Sequence, residues 1–329
     1  MVSLKYPRDG ETIELLTPCQ REFTGGGNGA AIEDWLKLHR SDKEDCTHPR
    51  AVAFEWESDS KADVLEISTD ADFRNVRRLV CTGKRAEAGN LMLGTAYYWR
   101  VNGSEARVFH TEDAAPRWLK VDGMSNVRDM GAWKTMDGRR VKQGLIYRGS
   151  EMDTHHSITE QGKWVMQNEM GIRTDLDLRG EAVGKLSESP AGSDINYMLM
   201  PCVAYESFLA EEQKPMCKAL FDVLADERNY PIYFHCWGGA DRTGTLAFML
   251  ESVLGLSDDD MIRDYELTSL SVWGERSRSG DWFASLVKGL EAYGDAGDSL
   301  REKALNFLRS CGIDDAVFEK LRINLLEKV

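Results

Sequence analysis

A chain of 329 residues with 42% hydrophobic and 29% charged side chains has ordinary globular composition and enough apolar material for sizeable cores. Its formal net charge of −14 excludes a general binder of nucleic acid or of anionic membranes, and no run of about 18 apolar residues offers a membrane span. Seven cysteines without a C-x-x-C pair supply neither a disulfide framework nor a zinc site, and Met1–Tyr6 shows no apolar leader, so a reducing, cytoplasmic setting with no metal or other cofactor is expected.

Residues 1–113 read as β. Short apolar or alternating runs at Thr12–Leu16, Ala51–Trp56, Val64–Ser68, Ala96–Val101 and Ala106–His110 are strand candidates. Asn102-Gly103, between the last two, is a hairpin turn pair, because both residues tolerate a positive φ. Several short strands with turn signals between them predict a small all-β sandwich. Gly25-Gly26-Gly27-Asn28-Gly29 lacks the strand–helix setting of a phosphate loop and reads as a flexible surface loop. The polar stretch to about His48 reads as an irregular insertion, and Asp113–Pro116 as a linker. The run Leu91-x-x-Gly94-Thr95-x-Tyr97-Tyr98-Trp99-Arg100-Val101 resembles the late strands of fibronectin type III modules. That resemblance covers about residues 50–112 and implies a fibronectin-like accessory domain over 1–113.

From residue 117 the pattern changes. A helix capped by Ser157 or Thr159 runs to Met170 and stops at Gly171. Ile172–Leu178 and Ile195–Met200 are strands, and Pro215–Leu224 has helical spacing. Pro231–Phe234 is a buried strand, and Thr245–Glu251 opens a helix. Ser257 and Asp260 are set like a capping box for a helix to about Thr268. Residues 281–293, 299–310 and 314–328 are helical. Strands alternating with helices predict a three-layer α/β domain over 117–329, with a central, mostly parallel sheet and its site at the carboxyl ends of strands.

The chemistry sits in His235-Cys236-Trp237-Gly238-Gly239-Ala240-Asp241-Arg242-Thr243-Gly244. A strand, a tight glycine loop and a helix N-terminus make an anion cradle from converging N–H groups and the helix dipole. A cysteine at the base of such a cradle is favoured as thiolate, the form that attacks phosphorus. Arg242 offers a planar fork for two phosphoryl oxygens. Thr243 can donate to the sulfur. Gly238 and Gly239 let the backbone approach a phosphate without Cβ clashes. His235 reads as a structural hydrogen-bonder that orients the loop. Trp237 reads equally as pocket rim and as packing. Asp241 reads either as an acid or as a structural carboxylate that caps the helix or pairs with Arg242.

The H-C-x5-R-T-G stretch resembles the signature of the cysteine-dependent phosphatases, most closely the bacterial tyrosine and phosphoinositide phosphatase branch. That branch also carries an aspartate before the loop arginine, as Asp241 stands here. Asn126-Val127-Arg128-Asp129-Met130-Gly131, Ile146–Ser150, Asp177-Leu178-Arg179 and the closing helix 313–326 are similar to further stretches of that branch. The resemblance covers about residues 116–329. It implies Cys236 as nucleophile, Arg242 as phosphate ligand, and Trp237, Gly238, Gly239, Ala240, Thr243 and Gly244 as the substrate-binding loop.

Two departures matter. Ala240 stands where many members of the branch have a lysine, which disfavours polyanionic lipid headgroups. The segment Met200–Glu206 carries no aspartate, where the superfamily usually has a general acid on a mobile loop. The acid is then Asp241, with Glu206 as the alternative. Arg128, Asp129 and Arg179 read as buried structural salt bridges, and His155-His156 as a solvated loop pair. The expected function is phosphomonoester hydrolysis through a cysteinyl-phosphate, with phosphotyrosine in proteins as the preferred substrate. Phosphoinositides or inositol phosphates are the runner-up, and a catalytically silent phosphate-binding module is the rival of a different class. The expected partner is a phosphorylated protein or a small phosphomonoester. The β part is left with a partner-binding, pocket-capping or stabilising role.

Overall fold

The computed structural model describes residues 2–25, 34, 35, 37, 38, 45–180 and 186–328. Gly26–Gly29 of the glycine-rich stretch lie outside the described residues. The chain divides into two compact units, Met1–Thr17 with Pro49–Arg117, and Pro18–His48 with Trp118–Val329.

The first unit holds strands β1 (Ser3–Tyr6), β2 (Glu11–Ile13), β3 (Val52–Glu57), β4 (Asp63–Ser68), β5 (Arg77–Cys81), β6 (Arg85–Ala88), β7 (Ala96–Val101) and β8 (Arg107–Thr111). They form one sheet in the order β1-β3-β6 and another in the order β2-β8-β7-β4-β5. Alternation drives the burial. Val52, Phe54 and Trp56 of β3 and Tyr97, Trp99 and Val101 of β7 point inward at every second residue. Phe54 meets Trp99 edge-on at 5.3 Å and Phe109 at 5.7 Å between ring centroids. Asn102 and Gly103 both take positive φ, 51° and 68°, as their turn requires. Sequence patterning misses β1, β5 and β6, which are short and rich in charge.

The stretch 18–48, read from the sequence as an irregular insertion, begins with helix α1 (Pro18–Gly25) and packs with the second unit. Gln20 Nε2 donates to the carbonyls of Cys46 and His48 at 2.8 and 3.0 Å and closes this excursion. Thr47 is fully buried, and its Oγ1 accepts from Asn126 N at 3.0 Å.

The second unit is an α/β domain on a mixed sheet. Its strand order is β13 (Asn196–Leu199), β12 (Thr174–Asp177), β14 (Ile232–His235), β11 (Ile146–Gly149), β10 (Arg128–Asp129), β9 (Arg117–Trp118). β13, β12, β14 and β11 pair in parallel, whereas β10 runs antiparallel to β11. β14 thus lies between two parallel neighbours, and all four of its residues are buried. Helix α2 (Glu160–Trp164) starts at Thr159, whose hydroxyl accepts from Gly162 N, continues as a π turn over Val165–Glu169, and ends before Gly171 at φ +63°. Helices α3 (Lys214–Ala225), α4 (Asp241–Leu254), α5 (Asp258–Glu266), α6 (Asp281–Leu290), α7 (Leu300–Ser310) and α8 (Asp315–Leu325) complete the unit. α4 is buried from Thr243 to Leu254, with α5, α7 and α8 packed on it. The sheet and its surroundings therefore hold the base of the Cys236 loop rigidly. Among the described residues no helix is long and apolar enough to cross a membrane.

Candidate active site

The loop from Cys236 to Ala240 joins the end of β14 to the first turn of α4. Its carbonyls are used by the scaffold. Trp237 O accepts from Glu151 N at 2.9 Å, Gly238 O from Asn126 Nδ2 at 2.9 Å, and Gly239 O from Arg148 Nη2 at 2.9 Å. In a planar trans peptide the next N–H points opposite its carbonyl. The N–H groups of Gly238, Gly239 and Ala240 are therefore turned away from the scaffold, which is the arrangement of an anion-binding nest. Gly239 has φ +64°, and a Cβ there would lie 2.2 Å from Gly149 O. A Cβ on Gly238 would lie 2.4 Å from the Trp273 ring. Both glycines are thus fixed by close approach of the protein's own atoms, a different reason from the approach to phosphate read from the sequence.

The support beneath the loop is charged. Asp264, fully buried on α5, accepts from Arg128 Nε at 2.8 Å and from Arg148 Nη1 at 2.5 Å. Arg128 Nη1 in turn holds Asn126 Oδ1 at 2.6 Å. Burial and then the Asp264 charge push the nearby Glu251 carboxyl well above its ordinary range. Arg128 and Arg148 share Asp264 as their carboxylate partner beneath the loop. Arg128 is structural, as expected, and Asp129 accepts from the N–H groups of Gly131 and Gly144. Arg179 is likewise buried among Asp177, Asp153 and Glu151, and lies 5.0 Å over the Trp237 ring.

His235 orients the loop. Its Nδ1 lies 3.1 Å from Cys236 O, and its Nε2 lies 3.0 Å from Asp175 Oδ1, an ion-pair distance whose alignment falls short of a hydrogen bond. Burial opposes a charged ring, but Asp175 and Asp177 outweigh it and raise the His235 pKa to about 9. The His155-His156 pair differs from expectation. His155 is exposed but edge-on to Trp237 at 5.0 Å, and half-buried His156 accepts from Trp273 Nε1 at 3.0 Å. The two rings belong to an aromatic wall, because Trp237 and Trp273 offer apolar faces beside them.

Cys236 is 3% exposed and lines a cavity of about 510 Å³ with Trp237, Asp241, Arg242, Val203 and Tyr205. Arg242 Nη1 and Thr243 Oγ1 are buried without a protein hydrogen-bond partner. The hydroxyl bond from Thr243 to the sulfur, anticipated from sequence, is therefore not made. Cys202 lies near by. Burial, then the Cys236 charge, pushes it up to about 12, so it is inert at neutral pH. Cys46, Cys81, Cys202, Cys217, Cys236 and Cys311 form no disulfide.

Asp241 neither caps α4 nor pairs with Arg242. Its Oδ1 accepts from Tyr205 Oη and from Arg276 Nε at 3.0 Å, and its Oδ2 from Arg276 Nη2 at 3.1 Å. Glu206 lines a neighbouring cavity of about 450 Å³ with Asp281, Ser285 and Trp282, and is not among the residues around Cys236. Sequence reasoning missed Glu275, Arg276 and Trp282, which complete the Cys236 cavity. Glu275 and Arg276 lie in an irregular stretch after Thr268, and Trp282 in the first turn of α6, where helical spacing gives no sign that its side chain reaches a site.

The described residues contain no group of three or more His, Cys, Asp or Glu placed to hold a metal ion. Among curated relatives, a putative tyrosine-protein phosphatase of Cupriavidus necator is 24% identical over 172 residues, covering 45% of this chain and 61% of that protein. A tyrosine-protein phosphatase of Nostoc commune is 28% identical over 78 residues, covering 24% of this chain and 26% of that protein. This chain thus spans less than two thirds of either relative. Among solved structures, the core catalytic domain of the PP-IP phosphatase SIW14 from S. cerevisiae, in complex with citrate, superposes with a TM-score of 0.30 at 15% identity, covering 39% of this chain and 75% of that one. The family model described as the tyrosine phosphatase family matches residues 119–327, well over half the chain. With the Cys236–Arg242 cradle at its centre, the chain belongs to the tyrosine phosphatase family of cysteine-dependent phosphatases.

Proposed function

We propose that the protein hydrolyses phosphomonoesters through a cysteinyl-phosphate on Cys236. The observation that carries this reading is a buried cysteine sharing its cavity with Arg242, one of whose buried nitrogens no protein group satisfies, since buried donors ordinarily have partners. In the first step the Cys236 thiolate forms an S–P bond and the bond from phosphorus to the leaving oxygen breaks. Arg242 and the loop N–H groups hold the equatorial oxygens. Asp241 gives its proton to the leaving oxygen. In the second step water attacks phosphorus and passes a proton to Asp241, the S–P bond breaks, and inorganic phosphate and the thiolate are restored. Glu206, in the neighbouring cavity, is the weaker candidate for this proton.

Phosphotyrosine in proteins is the substrate class we favour. Ala240 withholds the extra cation a polyanionic headgroup would use, aromatic side chains wall the cavity, and both curated relatives carry the name of tyrosine-protein phosphatases. Phosphoinositides or inositol phosphates are the second reading. Arg276 favours it by bringing another guanidinium into the cavity. The strand orders β1-β3-β6 and β2-β8-β7-β4-β5 support a fibronectin type III-like sandwich for the first unit. A chelator-treated panel of phosphotyrosyl peptides, phosphoinositides and inositol phosphates, with Cys236→Ser as control, tests these readings. Turnover confined to inositol-based substrates would reverse the preference. Turnover that survives Cys236→Ser would end the cysteine assignment, and no turnover of any class would leave a phosphate-binding module.

A further inference from the structure

Asp241 is a short side chain at the first position of a helix, 40% exposed, where a free carboxylate would sample several rotamers. It is instead held from two sides. Arg276 grips both carboxylate oxygens, Nε at 3.0 Å and Nη2 at 3.1 Å, while Tyr205 Oη donates to the same Oδ1 as Nε. Each support is itself fixed. The Ser269 hydroxyl accepts from Arg276 N and donates to Arg276 O, both at 2.8 Å. Two residues on, Arg278 is tied to Glu266 at 2.8 Å and to Asp259 at 3.1 Å. Tyr205, in a left-handed conformation at φ +58°, donates its N–H to Thr245 Oγ1 at 3.0 Å, and its ring stacks on Trp282 at 5.7 Å. Arg276 Nη1 donates to Glu275 O at 2.9 Å, so each of the three guanidinium nitrogens has a protein acceptor.

We infer that Arg276 is a positioning residue for Asp241, assisted by Tyr205, aiming the carboxyl at the leaving oxygen above Cys236. The inference rests on the reading of Asp241 as the acid. An acid acts only within hydrogen-bond reach of the atom it protonates, so a support that fixes its rotamer governs proton transfer rather than phosphate binding.

The test is the dependence of kcat/KM on leaving-group basicity, measured with p-nitrophenyl phosphate, phenyl phosphate and an alkyl phosphate. Asp241→Asn is expected to cost about 10²–10⁴-fold on the poor leaving groups and far less on p-nitrophenyl phosphate. Arg276→Ala should steepen the dependence in the same direction by about 10–10²-fold, within that acid–base contribution. Arg276→Lys should restore part of it, Tyr205→Phe should give a smaller steepening, and the double variant with Asp241→Asn should be no slower than Asp241→Asn alone. A structural role would lower all substrates equally, and equal losses with Arg276→Ala or multiplied losses in the double variant would overturn the inference. A second-phosphate role would instead show as KM loss on bisphosphorylated inositol substrates with an unchanged leaving-group slope, which also overturns it. If Asp241→Asn itself shows no leaving-group dependence, the acid assignment falls and Arg276 with it. If Asp241→Asn shows that dependence and Arg276→Ala does not, only the Arg276 assignment falls.

Discussion

Arg242 offers donors in a fixed plane at the mouth of α4, and one of them is buried without a protein acceptor. A lysine there keeps the charge but not the fork. Arg242→Lys should therefore lower kcat/KM for any phosphomonoester by at least about 10²-fold, the usual effect of removing an oriented transition-state donor. Steady-state kinetics would check this, and a loss under threefold would contradict it. His235 makes a prediction of the opposite kind, on stability. Its pKa is about 9 in the folded chain against 6.5 for an ordinary histidine. A raised value means that the stabilisation is complete below about pH 6.5 and disappears as pH rises through about 9. Thermal melts should show this loss across that window, and His235→Gln should flatten it.

At the scale of elements, β14, the glycine loop and α4 act as one unit because the loop's carbonyls are spent on Glu151, Asn126 and Arg148. Gly239→Ala combines a left-handed φ with a clash against Gly149 O. It should abolish activity or cost more than about 2 kcal/mol in urea unfolding, in line with strained backbone sites. Asp264→Asn would leave Arg128 and Arg148 without their shared carboxylate, and about 3–5 kcal/mol of stability should go with it. Much of this was legible in the sequence. The strand–loop–helix pattern, both glycines, Cys236 and Arg242 follow from residue type and spacing within ten positions, where local physics dominates. Arg128 and Arg148 were visible only as fragments, since their common partner Asp264 lies more than a hundred residues away, and Asn126 likewise, since it bonds to Gly238 O across the chain. Arg276 carried no signal, because a side chain delivered by an irregular segment has no periodicity to betray its direction, and Tyr205 opens a 3-10 turn of five residues, too short for spacing to show where its ring goes.

The whole molecule reads less directly than its parts. Composition and the change of pattern near residue 117 gave a β part followed by an α/β part, and the strands of β3, β4, β7 and β8 were visible through their alternation. The affiliation of 18–48 with the catalytic unit was not, because it rests on single polar contacts such as Thr47 to Asn126. Thr47→Val would keep the shape but leave the buried Asn126 N–H unsatisfied. It should cost about 1–3 kcal/mol, read from denaturant melts. Asn126 also holds Gly238 O, so the same variant should lower activity; an active, undiminished Thr47→Val protein would show that this excursion is dispensable.

Covalent chemistry at one sulfur ties these scales together, and it can be seen directly. A rapid acid quench during turnover of an aryl phosphate, followed by peptide mass spectrometry, should find a phosphoryl group on the Cys236 peptide. More of it should accumulate in Asp241→Asn, where hydrolysis of the intermediate is slowed, and none in Cys236→Ser. Turnover with no phosphorylated Cys236 peptide in either the native protein or Asp241→Asn would contradict the account.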